Sequence, residues 1–283
     1  MSIGFDELAV QAAFSQPEMD GTFTGPLADY LQGLSQRRPV LLFAFPPKSA
    51  GTFLCTSAVV ASGGSLVRAV HAQGGREAQL YLPVFLYYYC GGVCEGPMAV
   101  HAHMLARPGN CHFIEALSLK PITMIRSIPD MLASLWDMFL DVPQSRAENI
   151  SGAVPDDFPT FSVTRKADFM IDMIGPWYVN YFATWLSYAA MHPTTVLVLH
   201  FSNWLTDPLG VLQRCLSHAG VPQPEAVCRA ALDGCWKERG ELRFNKGAAG
   251  RGRSYFTTAH IERLAHLMEN FSILEKYRAE LLA

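Results

Sequence analysis

The sequence predicts an α/β protein of three layers, α/β/α, around a central parallel sheet of about five strands. Two observations point there. Short apolar runs with strand character occur at 39–45 (PVLLFAF), 98–104 (MAVHAHM), 120–127 (KPITMIRS) and 194–201 (TTVLVLHF), and the first three enter polar or turn-forming residues. Helical patterns alternate with them, and strands that alternate with helices pair in parallel, with both sheet faces covered. The chain has 283 residues, 50% hydrophobic and 17% charged, which suffices for one domain over 1–283 with a substantial core.

The run at 39–45 is apolar throughout, reads as a buried strand, and ends in PPKSAGTF at 46–53. A helix over about 52–62 follows. The run at 98–104 is the weaker strand, and that at 120–127 ends at Arg126 and Ser127, ahead of a helix. Next, DVPQSRAENISGAVPDDFPTFS at 141–162 is rich in Pro, Ser, Asp and Gly and reads as a long mobile loop, a lid or substrate loop over 141–165. MIDMIGPWYVNYFATWLSYAAMH at 170–192 has helical spacing, TTVLVLHF is a β-branched strand, and DPLGVLQRCLSHAGV at 207–221 is a helix starting at Asp-Pro.

Bulk properties narrow the function. A net charge of −3 gives no electrostatic case for nucleic acid or an anionic membrane as partner. The N-terminus, MSIGFDELAVQAAF, lacks the basic and apolar regions of a secretory signal. LYLPVFLYYYCGGVC at 80–94 is shorter than the roughly 20 residues of a membrane span. It holds Pro83 and is expected to be buried in protein, with no stable membrane insertion. Seven cysteines form no disulfide framework, and the close pair Cys90 and Cys94 lacks the further ligands of a zinc site. Reduced thiols in a cytoplasmic protein are expected.

In PPKSAGTF, Lys48, Ser49, Ala50, Gly51 and Thr52 stand where a strand ends and a helix begins. Small residues there let backbone N–H groups close around a phosphate, the helix start favours negative charge, and Lys48 adds a full one of opposite sign. A Walker A loop places its lysine after the glycines, whereas Lys48 precedes Gly51. The loop instead resembles the PKSGTTW 5′-phosphosulfate loop of cytosolic-type sulfotransferases, which use 3′-phosphoadenosine 5′-phosphosulfate (PAPS). ITMIRSIPDMLASLW at 122–136 resembles the second signature of that family, with Arg126 and Ser134 as the pair that holds the 3′-phosphate. RFNKGAAGRGRSYFT at 243–257 is similar to its RKGxxGDWKxxFT loop, with Lys246, Gly247, Gly250, Phe256 and Thr257 in step.

The resemblance implies a topology related to P-loop nucleotide-binding proteins, PAPS as co-substrate, 3′,5′-bisphosphoadenosine (PAP) as product, and no metal. Lys48 would stabilise the leaving phosphate, with Ser134 holding it back until the acceptor binds. The general base of the family falls at His103, which precedes Arg126 by 23 residues, and His101 stands in place of a lysine. Strand periodicity turns residues 101 and 103 to one side. Phe53, Phe201 and Trp236 fall at adenine-neighbouring positions. Asn245 replaces the arginine of RKG, so either Asn245 or Arg243 meets the 3′-phosphate, and Arg251-Gly252 replaces Asp-Trp.

Aromatic stretches at 80–89, 135–140 and 176–182 fit the walls of a site for a small hydrophobic acceptor, and equally a core. A homodimer is compatible with this reading. Two other functions remain consistent with the sequence: a nucleotide-binding homologue without activity, and a small-molecule kinase, which should carry the Walker A lysine that is absent here.

Overall fold

The computed structural model describes residues 38–69, 80–90, 94–147, 153–238, 240 and 249–283. Its centre is one sheet of β1 (Val40–Ala44), β2 (Ser65–Val67), β3 (Met98–Ala102), β4 (Pro121–Ile125) and β5 (Leu197–His200). The order is β2-β3-β1-β4-β5 and every pairing is parallel. The expected fold class stands. Four strands coincide with the apolar runs; β2, only three residues long, is too short to carry a periodic signal.

The helices are α1 (Gly51–Ser62), α2 (Leu82–Cys90), α3 (Pro108–Ala116), α4 (Ile128–Asp141), α5 (Val163–Phe169), α6 (Gly175–Met191), α7 (Phe201–Thr206), α8 (Pro208–His218), α9 (Glu225–Lys237) and α10 (Thr258–Met268). Alternate residues of β1 feed two cores. Leu41 and Phe43 pack with α1, α7, α8 and α9, whereas Leu42 and Ala44 pack with α2, α3, α4, α6 and α10. That division is why PVLLFAF is apolar at every position. The carboxyl ends of β1, β3 and β4 therefore open together at one edge of the sheet, where α/β folds bind ligands.

Three stretches show local detail. Within 141–162, the described residues include the end of α4 at Asp141, a helical turn at Gln144–Ala147 and a 3-10 turn at Phe158–Thr160. Fully buried Phe158 lies edge-on to Trp136 and Phe139, and Phe161 is buried beside it, so two phenylalanines anchor a segment whose composition reads as polar. Of the described residues in 80–94, Phe85, Tyr89 and Cys94 are buried, whereas Tyr81 and Tyr87 are exposed. The helix expected over 170–192 begins as a π-type stretch, Met170–Ile174, with Gly175 N–H bonded to the Met170 carbonyl. Pro176 lacks the N–H for the next regular bond, and the wider turn absorbs the loss. No described helix is long and apolar enough to cross a membrane.

Candidate functional site

The site grows from the loop between β1 and α1. Five successive carbonyls, residues 44 to 48, each accept a side-chain hydrogen bond. Ala44 accepts from the Tyr181 hydroxyl and Phe45 from His103 Nδ1 at 2.7 Å. Pro46 accepts from Ser49 Oγ at 2.7 Å, Pro47 from Tyr178 at 3.3 Å, and Lys48 from Arg126 Nη1 at 2.5 Å. Burial pushes both tyrosine phenols well above their usual range, so both remain protonated donors.

With its carbonyls engaged, the loop presents backbone donors. The N–H groups of Gly51 and Thr52, in the first turn of α1, have no intrahelical acceptor. Ala50 occupies the N-cap and has no side-chain oxygen to cover them. Lys48 and Ala50 both have φ of 65°, a left-handed conformation that costs a side-chain-bearing residue roughly 1–2 kcal/mol. The bracing tyrosines and Arg126 hold this turn in place. Such a turn, at a positive helix end, is a cradle for an anion.

β3 and the residue after it bring His101 and His103 together, with ring centroids 5.0 Å apart. Burial, with the charge of nearby Lys48 adding to it against the Phe45 bond, brings His103 down to about 4. Burial and His103 bring His101 down to about 3. His101 Nε2 is buried without a hydrogen-bond partner among the described residues. It lies against Gly51, where an added Cβ would sit 2.6 Å from that nitrogen and 2.7 Å from Phe45 Cδ2, so only glycine fits. Lys48 Nζ reaches Met138 Sδ of α4 at 3.9 Å.

The other side of the cleft is built by β4, α4 and the loop at 249–255. Arg126, buried and stacked 4.0 Å above the Phe201 ring, follows β4. Ser127 caps α4, and Ser134 is buried in its second turn. Asp130 accepts the backbone N–H groups of Gly250 and Gly252, both at 2.8 Å. Gly252 must be glycine, because a Cβ would lie 2.4 Å from Pro129 Cβ. Asp137 accepts from Arg251 Nη2 and from the Tyr255 hydroxyl, each at 2.5 Å.

Of the aromatic residues expected near adenine, Phe53 is buried edge-on to Trp204 and Trp236, and Phe201 is buried beneath Arg126. Trp236 is 49% exposed. Arg243, Asn245, Lys246 and Gly247 lie outside the described residues. Of the stretches expected at an acceptor wall, PWYVNYF braces the β1–α1 loop through Tyr178 and Tyr181. Sequence reasoning missed Tyr178, Tyr181, Asp130 and Asp137. For the acids a signal existed: with Ser134 they recur at helical spacing along one face of α4.

No family model matches the sequence, and no curated protein matches it. Solved structures do. The chain is similar to mouse sulfotransferase SULT7A1 complexed with PAP, at 14% identity, covering 90% of this chain and 94% of that one with a TM-score of 0.58. It is also similar to retinol dehydratase in complex with androsterone and inactive cofactor PAP, at 14% identity over 88% of this chain and 85% of that one, with a TM-score of 0.51. The likeness to the PAP-bound sulfotransferase is one of fold, here an α/β domain around a five-stranded parallel sheet.

Proposed function

We propose that this protein transfers the sulfuryl group of PAPS to the hydroxyl of a small hydrophobic acceptor, an alcohol, phenol or lipid-like molecule. One observation carries the reading: the 2.7 Å hydrogen bond between His103 Nδ1 and the Phe45 carbonyl. A carbonyl oxygen only accepts, so Nδ1 bears the proton and the lone pair lies on Nε2. With its pKa near 4, the imidazole is neutral at pH 7 and able to remove the acceptor proton.

The residues fit the nucleotide. The engaged carbonyls turn the β1–α1 loop into a donor surface suited to a 5′-phosphosulfate, and Arg126 with Ser134 suits a 3′-phosphate. Trp236, half exposed, is an aromatic ring suited to stacking on adenine. PAPS, when bound, supplies a labile sulfur–oxygen bond whose cleavage leaves charge on the 5′-phosphate oxygen. Lys48 neutralises that charge, and its contact with α4 one turn beyond Ser134 fits a restrained resting position. Exposed Val142, one turn past Met138, supports an apolar acceptor. No metal enters this scheme. The reading carries with it a single domain over 1–283 and a cytoplasmic setting.

Sulfate transfer from PAPS to a panel of phenols and long-chain alcohols tests the proposal, with His103→Ala as the inactive control. Calorimetry accompanies it, with adenosine 3′,5′-bisphosphate expected to bind far more tightly than ATP. Tighter ATP binding with Mg²⁺-dependent phosphoryl transfer would make the protein a kinase. Tight bisphosphate binding without transfer to any acceptor would make it a non-catalytic nucleotide binder.

A further inference from the structure

Resting on the nucleotide reading above, we propose that Arg251 is a second guanidinium of the 3′-phosphate site, opposite Arg126. The resemblance places an acidic residue at 251 and an arginine at 245, where this chain has Asn245. A cation is gained at one position and lost at the other.

Geometry directs Arg251 toward the site. Its neighbours Gly250 and Gly252 are pinned by their N–H groups to Asp130, and its own side chain bonds Asp137. Those two acids lie seven residues apart on one face of α4, roughly 10 Å along the axis, with Ser134 between them. The Arg251 side chain therefore crosses the turn that bears Ser134. Arg126, at the end of β4, borders the same helix start.

The orientation of the guanidinium leaves it room to act. Its contacts with Asp137 and the Tyr255 hydroxyl both run through Nη2. Nε and Nη1 make no hydrogen bond among the described residues. Nη1 keeps two N–H groups for phosphate oxygens, charge-assisted donors that the planar guanidinium presents in fixed directions. Asp137 and Tyr255 hold the group still, with the side chain only 12% exposed. Arg251 also acts on its counterpart: burial first, and then the Arg251 charge, bring Arg126 down to about 10, opposed by Asp130. A phosphate dianion between the two guanidiniums relieves that repulsion.

The test compares calorimetric affinities for adenosine 3′,5′-bisphosphate and adenosine 5′-phosphate in wild type, Arg251→Met and Asp137→Asn, with circular dichroism to verify folding. Wild type should prefer the bisphosphate. Arg251→Met should cut that preference about ten- to hundred-fold and leave 5′-phosphate affinity unchanged. Asp137→Asn should keep or raise the preference, because it removes a competing charge beside the guanidinium. An unchanged preference in Arg251→Met overturns the proposal. So does an Asp137→Asn loss equal to that of Arg251→Met, which would make the pair a structural staple. Equal wild-type affinity for both nucleotides abolishes the 3′-phosphate site and the proposal with it, while sulfate transfer to an acceptor would still stand. A wild type that binds neither nucleotide removes the reading under Proposed function as well.

Discussion

Around the β1–α1 loop, five consecutive carbonyls are held by Tyr181, His103, Ser49, Tyr178 and Arg126, whereas the loop at 249–255 is held by two carboxylates of α4. The first region is shaped by backbone that its surroundings force into unusual conformations. The second depends on the charges of Asp130, Asp137 and Arg251. A backbone cradle tolerates loss of one brace, because the others still fix it. A charge-held loop responds to one substitution, since a carboxylate that serves two donors leaves both unpaired when removed.

The largest expected effect falls where the first region meets the chemistry. His103→Ala should lower the transfer rate on the order of 10²–10⁴-fold with nucleotide affinity little changed, measured by sulfate transfer and calorimetry. Retained activity would move the base to His101 or a carboxylate. The acidic limb of kcat/KM against pH should fall near 4, the pKa to which burial lowers His103, and not near the ordinary value of about 6.5. The same depression bears on stability. The unfolded chain takes up protons at both histidines near pH 6.5 while the folded chain does not, so stability should drop as pH falls from about 6.5 toward 4. Urea midpoints across that range check it.

Asp130→Ala sharpens the contrast by breaking the second region. It orphans the N–H of buried Gly252, at about 1–3 kcal/mol, and leaves that of exposed Gly250 to water, read as a lower urea midpoint. Tyr178→Phe removes one brace of five and should cost only about 1 kcal/mol. A loss as large as that of Asp130→Ala would erase the distinction between the two regions.

The smallest effect lies at the carboxyl end of β5, where His200 bonds Glu280 at 2.8 Å. The Glu280 hydrogen bond raises the His200 pKa, so its stabilisation is present below about pH 6.5 and lost as pH rises through the folded value. The side chains are 37% and 31% exposed, and solvent screening keeps the contribution under about 1 kcal/mol. Glu280→Gln should flatten the decline as pH rises above about 6.5.

The parts legible in the sequence share a physical basis. β1, β3, β4 and β5 were visible because strands in a covered parallel sheet are apolar at nearly every position, and α1 because small residues and a lysine mark a strand-to-helix turn. The burial of Phe158 and Phe161 was not, since two anchors in a polar segment leave no periodicity. The burial of Phe53 and Phe201 was no more legible, since an aromatic residue looks alike in sequence whatever it packs against.

By itself, the sequence determined the α/β class and the positions of Lys48, Gly51, His103, Arg126 and Ser134, because period and local turn chemistry act between near neighbours in the chain. Only tertiary structure decided that Tyr178 and Tyr181 of α6 brace the β1–α1 loop, that the Phe45 carbonyl sets the tautomer of His103, and that Arg251 crosses the face of α4. Each of these depends on hydrogen bonds between groups far apart in sequence. Composition carries no trace of which distant carbonyl a side chain will meet, and that is fixed only when the helices pack onto the sheet.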